Sequence, residues 1–251
     1  MTADGGVLAV NHVGISVADL AAAQRFWVDG LGAQPHGGFS WPVGTLPSDE
    51  ALATTGTAAE VVLLRCDAAY LELFRFDSPP PARRSAHAPG VAGLTWAVPD
   101  VAAVSARLGG DASGEVRCPD GTPVRLVAAG TGPTGLVGVR LQVADPARHP
   151  LGEVAGPVRL QVGAGGTGRR PDPVDLGVNH VCLQVDPIGS VRAGWDDPAT
   201  AVRWHQPVVS SSGGIASLCY GTSHDGVLIE LLACHSPDAL LSRERLLRPD
   251  G

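Results

Sequence analysis

Two histidines and two glutamates occupy matching places in a repeated pattern of this sequence. His12 and His180 lie in two related octapeptides, Val-Asn-His-Val-Gly-Ile-Ser-Val and Val-Asn-His-Val-Cys-Leu-Gln-Val, which are identical at five of eight positions. Glu72 and Glu230 lie in the later segments Leu-Glu-Leu and Ile-Glu-Leu. Two imidazoles and two carboxylates form a donor set that suits a divalent transition metal with positions left for water or substrate.

Strand periodicity places these four side chains on the polar side of their elements. In a strand, alternate residues face the same side, so the apolar neighbours Leu71 and Leu73 face away from Glu72. Burying two carboxylates without a cation is costly, because desolvation and like charge both oppose ionisation. Any one of these residues alone favours a plainer interpretation, a hydrogen-bonded core histidine or a glutamate at a wet sheet edge. Four at equivalent places favour a metal site.

The elements around the first octapeptide can be predicted from turn signals and periodicity. Asp19 is a helix cap, apolar residues recur at helical spacing after it, and Gly32 ends the helix. Strands are predicted at 60–64 and 70–74, with a weak strand within 33–45. The unit therefore has the order strand, helix, strand, strand, strand.

Weaker copies of this unit lie between the two ligand-bearing ones, beginning at 91 and at 136. The start position is occupied in turn by His12, Gly93, Gly138 and His180, and the closing position by Glu72, Arg125, Arg159 and Glu230. We divide the chain into a first module at 1–76, degenerate middle modules at 91–163, a last module at 176–236 and a C-terminal tail at 237–251. Ligands kept only at the two ends favour pairing of the outer modules with each other in one chain. Pairing of neighbours, which would require an intersubunit site, is the alternative.

Composition limits the classes of partner. The chain has 251 residues, a formal charge of −7 and no basic run, which argues against nucleic acid and anionic membrane surfaces. No apolar stretch approaches the roughly 20 residues of a membrane span, and the N-terminal residues do not resemble a signal peptide. Five cysteines without CxxC spacing indicate reduced, buried thiols. We expect a cytoplasmic monomer or homodimer that binds a small molecule.

The repeated segments resemble the vicinal oxygen chelate superfamily, which contains glyoxalase I, methylmalonyl-CoA epimerase, extradiol dioxygenases and antibiotic resistance proteins. The resemblance is carried by V-N-H-V-G-I-S-V-A-D-L, Y-L-E-L-F, N-H-V-C-L-Q-V and S-H-D-G-V-L-I-E-L. It implies an α+β fold of βαβββ modules whose curled mixed sheets form a metal-holding cup. The family's ligand positions fall on His12, Glu72, His180 and Glu230. That set is similar to the one in bacterial glyoxalase I.

The resemblance implies a metal-dependent isomerase, epimerase or lyase acting through an enolate on a small oxygenated substrate. The cofactor would be one divalent ion, either Fe, Ni, Co, Zn or Mn, and Glu72 or Glu230 would serve as the base. An Fe(II)-dependent extradiol dioxygenase is one alternative, and an antibiotic-binding resistance protein without chemistry is another. The aromatic and histidine side chains predicted to line the substrate pocket are Trp41, Trp204, His205 and Tyr220, although core packing is the usual role of such residues.

Overall fold

The computed structural model describes residues 6–85, 87–111, 113–196 and 202–246, so residues 247–251 of the predicted tail lie outside it. Its strands are β1 (Gly6–Ser16), β2 (Gln34–Trp41), β3 (Ala58–Arg65), β4 (Tyr70–Ser78), β5 (Gly90–Val98), β6 (Glu115–Arg117), β7 (Pro123–Ala128), β8 (Gly135–Val143), β9 (Arg159–Ala164), β10 (Gly177–Asp186), β11 (Arg203–Trp204), β12 (Val209–Ser211), β13 (Ala216–Thr222) and β14 (Leu228–Cys234). Its helices are α1 (Leu20–Gln24), α2 (Leu46–Leu52), α3 (Val101–Leu108), α4 (Ile188–Gly194) and α5 (Arg243–Leu246). The segment Arg25–Gly30 continues α1 as a π-helix, and short 3-10 turns lie at Pro146–Arg148 and Ser212–Gly214.

The helix that follows β1 begins at the residue that the sequence predicts. The Asp19 carboxylate accepts a hydrogen bond from the Ala22 amide at 3.0 Å, which satisfies one of the free N–H groups of the first turn. Asp100 caps α3 in the same way through the Ala103 amide at 2.9 Å. Both helices therefore start at the same point of their modules.

The large sheet joins the two ligand-bearing modules. Its strand order is β11-β13-β14-β10-β1-β4-β3-β2, with β12 beside β13. At its centre β1 runs antiparallel to β10, and each of these strands has the closing strand of its own module, β4 or β14, as a parallel neighbour. Pairing of the outer modules within one chain, which the distribution of ligands favoured, is confirmed.

The middle modules form a second sheet, in the order β6-β7-β5-β8-β9, that repeats the pattern of the first. Thr95 pairs with Arg125 just as Gly14 pairs with Glu72, so Arg125 does occupy the position of Glu72. The predicted closing residue of the third copy, Arg159, is wrong by two positions. In each module, the residue two positions after the start position pairs with the closing residue. In the third copy that residue is Arg140, and it pairs with Gln161. A slip of two residues keeps the same face of a strand, so periodicity could not detect it.

The two sheets share one hydrophobic core on their apolar faces. Trp27, which follows α1, and Trp96 of β5 are fully buried there with ring centroids 5.2 Å apart. The indole N–H of Trp96 donates to the Leu31 carbonyl at 3.0 Å, which satisfies its polar atom inside the core. The polar face of each sheet is directed away from this core, so the molecule presents two cups.

The fold is of the α+β class with curled mixed sheets, as the sequence predicts. The boundaries of the four predicted segments stay predictions. Within the described residues, none of the helices has the length and apolar character needed to cross a membrane. The weak strand expected within 33–45 is β2, which contains Phe39 and ends at Trp41.

Candidate metal centre

The four predicted ligands meet at the centre of the large sheet. His12, Glu72, His180 and Glu230 are all buried, and each offers a donor atom within 4.8 Å of the donors of the other three. The two imidazole Nε2 atoms are 3.1 Å apart. Glu230 Oε2 lies 2.9 Å from His12 Nε2 and 3.3 Å from His180 Nε2, and Glu72 Oε2 lies 3.5 and 3.7 Å from the same two atoms.

Two β-bulges place an asparagine beside each histidine. The pairing of β1 with β10 skips Asn11 on one strand and Asn179 on the other, so each asparagine is the extra residue of an irregularity. A bulge redirects its extra side chain, which here turns toward the neighbouring histidine. His12 Nδ1 lies 3.0 Å from Asn11 Oδ1, and His180 Nδ1 lies 2.7 Å from Asn179 Oδ1.

These asparagines fix which ring nitrogen carries the proton. Asn11 Nδ2 donates to the Leu241 carbonyl at 2.9 Å, and a carbonyl can only accept. The Oδ1 atom of Asn11 therefore faces His12 and accepts the Nδ1–H. Asn179 Nδ2 donates to Ser16 Oγ at 2.9 Å, which gives His180 the same arrangement. Both Nε2 lone pairs are left directed at the centre of the site.

The sequence analysis gave the asparagines no role, although a signal was present. Asn11 and Asn179 are the only asparagines in the 251 residues, and each directly precedes a predicted ligand. The bulges of the second sheet carry Ala92 and Val137 at the equivalent places, where neither side chain can accept a hydrogen bond. The asparagines thus occur only in the sheet that has the histidines.

The donor atoms require a positive charge among them. Two Nε2 lone pairs at 3.1 Å cannot hydrogen-bond to each other, and Glu230 Oε2 is buried without a hydrogen-bond donor. Burial lowers the pKa of His12, but Cys182, Glu72 and Glu230 outweigh it and raise that pKa well above 6.5. Burial likewise raises the pKa of Glu230, yet the two histidines hold it well below its usual range. The site attracts a cation, either a proton or a metal ion.

The separations between donors fit a single ion. Ligand atoms about 2.1 Å from one metal lie about 3.0 Å apart at right angles and about 3.4 Å apart at the tetrahedral angle. The distances from Nε2 to its neighbours, 2.9 to 3.7 Å, bracket those values. These four side chains could therefore hold a metal ion.

Gly14 makes the arrangement sterically possible. A Cβ at this position would overlap Cε1 and Nδ1 of the His180 ring and would come 2.5 Å from Asn179 Oδ1. The ring of His180 crosses over β1 at the place where a side chain would otherwise stand. Glycine at position 14 is thus needed for the imidazole to reach the centre.

A cavity of about 490 Å³ opens over the metal ligands. Glu72, His180 and Glu230 lie at its base. Its walls come from β2, α2, β13, β14 and the segment after β14, and they are mainly apolar. The larger side chains of the walls are Phe39, Trp41, Leu52, Phe74, Leu218, Tyr220, Leu232, Leu240 and Leu241.

Of the four side chains predicted to line the pocket, two contact it and two do not. Trp41 and Tyr220 line the cavity. Trp204 instead stacks on Trp195 with centroids 6.3 Å apart and lies outside the walls. His205 is also outside, because its Nδ1–H donates to the Ala51 carbonyl at 2.8 Å while its Nε2 accepts from Thr222 at 2.8 Å. It fastens α2 to β13 behind the pocket wall.

Two parts of the cavity wall were not predicted from the sequence. Helix α2 lies in the long connection before β3, where the Asp49 carboxylate accepts from the amides of Gly56 and Thr57 at 2.7 and 2.8 Å. The segment after β14 folds back onto the first module. Its carbonyls at Leu240, Leu241 and Ser242 accept hydrogen bonds from His36, Asn11 and Tyr70.

Comparison with known families identifies a match for part of the sequence. Residues 11–112, less than half of the chain, match the family model of the Glyoxalase/Bleomycin resistance protein/Dioxygenase superfamily. No curated protein matches the sequence at a significant level.

Solved structures extend the similarity to the whole chain. Glyoxalase I from Zea mays has a TM-score of 0.66 and 13% identity, with 96% of each chain covered. A protein of Bacillus subtilis provisionally named a dioxygenase has a TM-score of 0.62 and 15% identity, with 97% of this chain and 91% of that one covered. Identities this low establish the fold and not the reaction. Residues 11–112 thus belong by sequence to the Glyoxalase/Bleomycin resistance protein/Dioxygenase superfamily, the vicinal oxygen chelate superfamily of the sequence analysis, and the chain as a whole has its fold.

Proposed function

We propose that this protein is a metal-dependent isomerase, epimerase or lyase that acts on a small, uncharged, oxygenated molecule. The observation that carries the proposal is the convergence of four buried donor atoms at the base of an apolar cavity. The ion would be held by His12, Glu72, His180 and Glu230 and would be divalent Fe, Ni, Co, Zn or Mn. When bound, it would supply Lewis-acid stabilisation of an enolate formed on vicinal oxygens.

Glu72 is the better candidate for the base that moves a proton. Glu230 is held closely, with Oε2 2.9 Å from His12 Nε2 and 3.3 Å from His180 Nε2. Glu72 lies farther from both histidines, at 3.5 and 3.7 Å, and no hydrogen bond to its carboxylate is found among the described residues. A base has to leave its resting position to reach a substrate carbon, which the looser carboxylate does at lower cost.

Tyr220 would act as a neutral group beside the substrate. Burial and the nearby carboxylates of Glu230 and Glu72 raise its pKa well above 10, so the phenol keeps its proton. The neutral phenol adds no net charge to the site.

The charge of the cavity supports an uncharged substrate. The described residues of its lining include Glu50, Glu72 and Glu230 but no arginine, and the whole sequence contains no lysine. A substrate carboxylate or phosphate would enter an apolar, acidic enclosure without a guanidinium to pair with, which is unfavourable. The apolar walls instead suit an aliphatic or aromatic body attached to the reacting oxygens.

Solvent hydrogen exchange tests the proposal. Metal-loaded protein is incubated in D₂O with acetoin, or with the hemithioacetal of phenylglyoxal and 2-mercaptoethanol, and deuterium entry at the hydroxyl-bearing carbon next to the carbonyl is followed by NMR. We expect exchange that is lost on chelation and in Glu72→Gln, while Glu72→Gln keeps its metal and Glu153→Gln, an exposed position outside the cavity, retains activity. Exchange unaffected by chelation would refute the proposal. Oxygen consumption with catechol and Fe(II), without exchange, would assign the extradiol reaction instead.

A further inference from the structure

The second sheet repeats the geometry of the metal cup with different chemistry. Irregularities in the pairing of β5 with β8 fall between Val91 and Gly93 and between Thr95 and Trp96, at the same places as two of those between β1 and β10. Gly93 stands at the position of His12. Without a side chain there, the Arg140 guanidinium lies over the strand, since a Cβ on Gly93 would come 2.9 Å from its Nη2.

The polar face of this sheet is rich in arginine. Strand alternation and the cross-strand pairs put Arg117, Arg125, Arg140 and Arg159 on one side, with a single acidic residue, Glu115. Glu115 pairs with Arg117 at 3.2 Å. Within the described part of the chain, Arg125, Arg140 and Arg159 have no carboxylate partner. Among its described residues, a protein with a net charge of −7 thus has three guanidinium groups without a carboxylate partner on one face of this sheet.

A cavity of about 490 Å³ opens at one end of this face. Arg83, Arg84, Arg117 and Arg140 contribute to its lining together with Gln142. Arg84 is mostly buried, and burial lowers its pKa to about 10. Its guanidinium donates to the Val178 carbonyl at 2.6 Å and to the Pro89 carbonyl, so it is held in place by neutral acceptors. The acidic side chain of Asp120 in this wall accepts a hydrogen bond from the Ala18 amide.

We infer that this second cup is a binding site for a small organic anion that carries a carboxylate or phosphate group. Guanidinium groups that line one cavity repel one another, and an oxyanion bound among them relieves that repulsion while accepting charge-assisted hydrogen bonds. At Gly93 the Arg140 guanidinium takes the place that the His12 imidazole has in the first cup. The anion site and the proposed metal site are separate, so one can exist without the other.

Isothermal titration calorimetry at low ionic strength tests the inference on the full chain, with inorganic phosphate and with succinate as probes. We expect saturable binding of one or both, which also distinguishes the two kinds of anion. Arg140→Gln should weaken it roughly ten- to hundred-fold, the effect of one charge-assisted hydrogen bond. Arg148→Gln removes an exposed arginine outside this face and should bind like the wild type.

Three outcomes would overturn the inference. The first is an absence of saturable binding of either probe by the wild type. The second is equal weakening in Arg140→Gln and Arg148→Gln, which would indicate a general effect of net charge. The third is loss of binding in His180→Ala, which would place the anion at the metal site. If Arg140→Gln fails to fold, Arg83→Gln, which also changes the cavity lining, serves as the second variant.

Discussion

Replacing Asn11 or Asn179 by alanine tests how much each asparagine contributes to metal binding. In Asn11→Ala and Asn179→Ala, a buried Nδ1–H loses its acceptor, at 3.0 and 2.7 Å respectively, and the ring can place its proton on Nε2 instead. Leaving one buried donor unpaired costs about 1–3 kcal/mol. That range agrees with the roughly ten- to hundred-fold loss of metal affinity, about 1.4–2.8 kcal/mol, typical of such supporting groups. We expect each variant to bind metal that much more weakly.

The two variants should differ in stability. Asn11→Ala also removes two hydrogen bonds donated by Nδ2, to the Leu241 carbonyl of the segment after β14 at 2.9 Å and to Gln184 Oε1 at 3.2 Å, whereas Asn179→Ala also removes one, to Ser16 Oγ. One net hydrogen bond is worth about 1 kcal/mol, or a Tm lower by about 2–4 °C in a chain of this size. Competition with a chromophoric chelator measures affinity, and scanning calorimetry of metal-free protein measures Tm.

Two further variants show whether the acceptor itself matters. Asn179→Asp keeps an oxygen facing His180, and the Ser16 hydroxyl can donate to its second oxygen, so this variant should retain metal affinity. Gln161→Ala, which removes an exposed amide of the second sheet, should change nothing. The reasoning is refuted if both alanine variants bind metal as tightly as the wild type, or if Asn179→Asp loses as much affinity as Asn179→Ala.

Two other predictions concern sterics and pH. Gly14→Ala should abolish metal binding because its Cβ overlaps the His180 ring, whereas Gly6→Ala in the same strand meets nothing within 4 Å and should bind normally; equal metal content would contradict this. Burial, with Arg203, lowers the pKa of His205 from 6.5 against the opposing bond to the Ala51 carbonyl. The folded state then binds the proton more weakly than the unfolded chain does. The stabilising effect of neutral His205 is therefore complete above about pH 6.5 and is lost as the pH falls below that value. The Tm advantage over His205→Gln should therefore shrink between pH 7 and 5, and a constant difference would be the contrary result.

Much of the site could be predicted because its information is local and duplicated. The octapeptides around His12 and His180 are strands whose alternation fixes the face of each residue. The closing strands supply Glu72 and Glu230 as their third residues. Because only the outer copies carry ligands, the sequence favours pairing of β1 with β10. These inferences required only period, residue type and repetition.

The remaining features depend on contacts between distant segments. The tail after β14 becomes a cavity wall through His36, Asn11 and Tyr70, which lie more than 170 residues away in the chain. Trp204 was assigned to the pocket from its strand, but its ring packs on Trp195, and no sequence pattern distinguishes the two faces of a two-residue strand. Helix α2 is seven residues long, and its Asp49 carboxylate accepts a hydrogen bond from the Gly56 amide in the following turn.

Elemental analysis of the purified protein tests the central claim most directly. The wild type is compared with two variants, one in each sheet. We predict about one divalent ion per chain in the wild type and in Arg125→Ala, and none in His180→Ala. Arg125 occupies the place of Glu72 in the second sheet, so its variant controls for any general effect of changing a cup residue. A wild type that binds no metal when supplied with it, or a His180→Ala variant that keeps a full complement, would contradict the account.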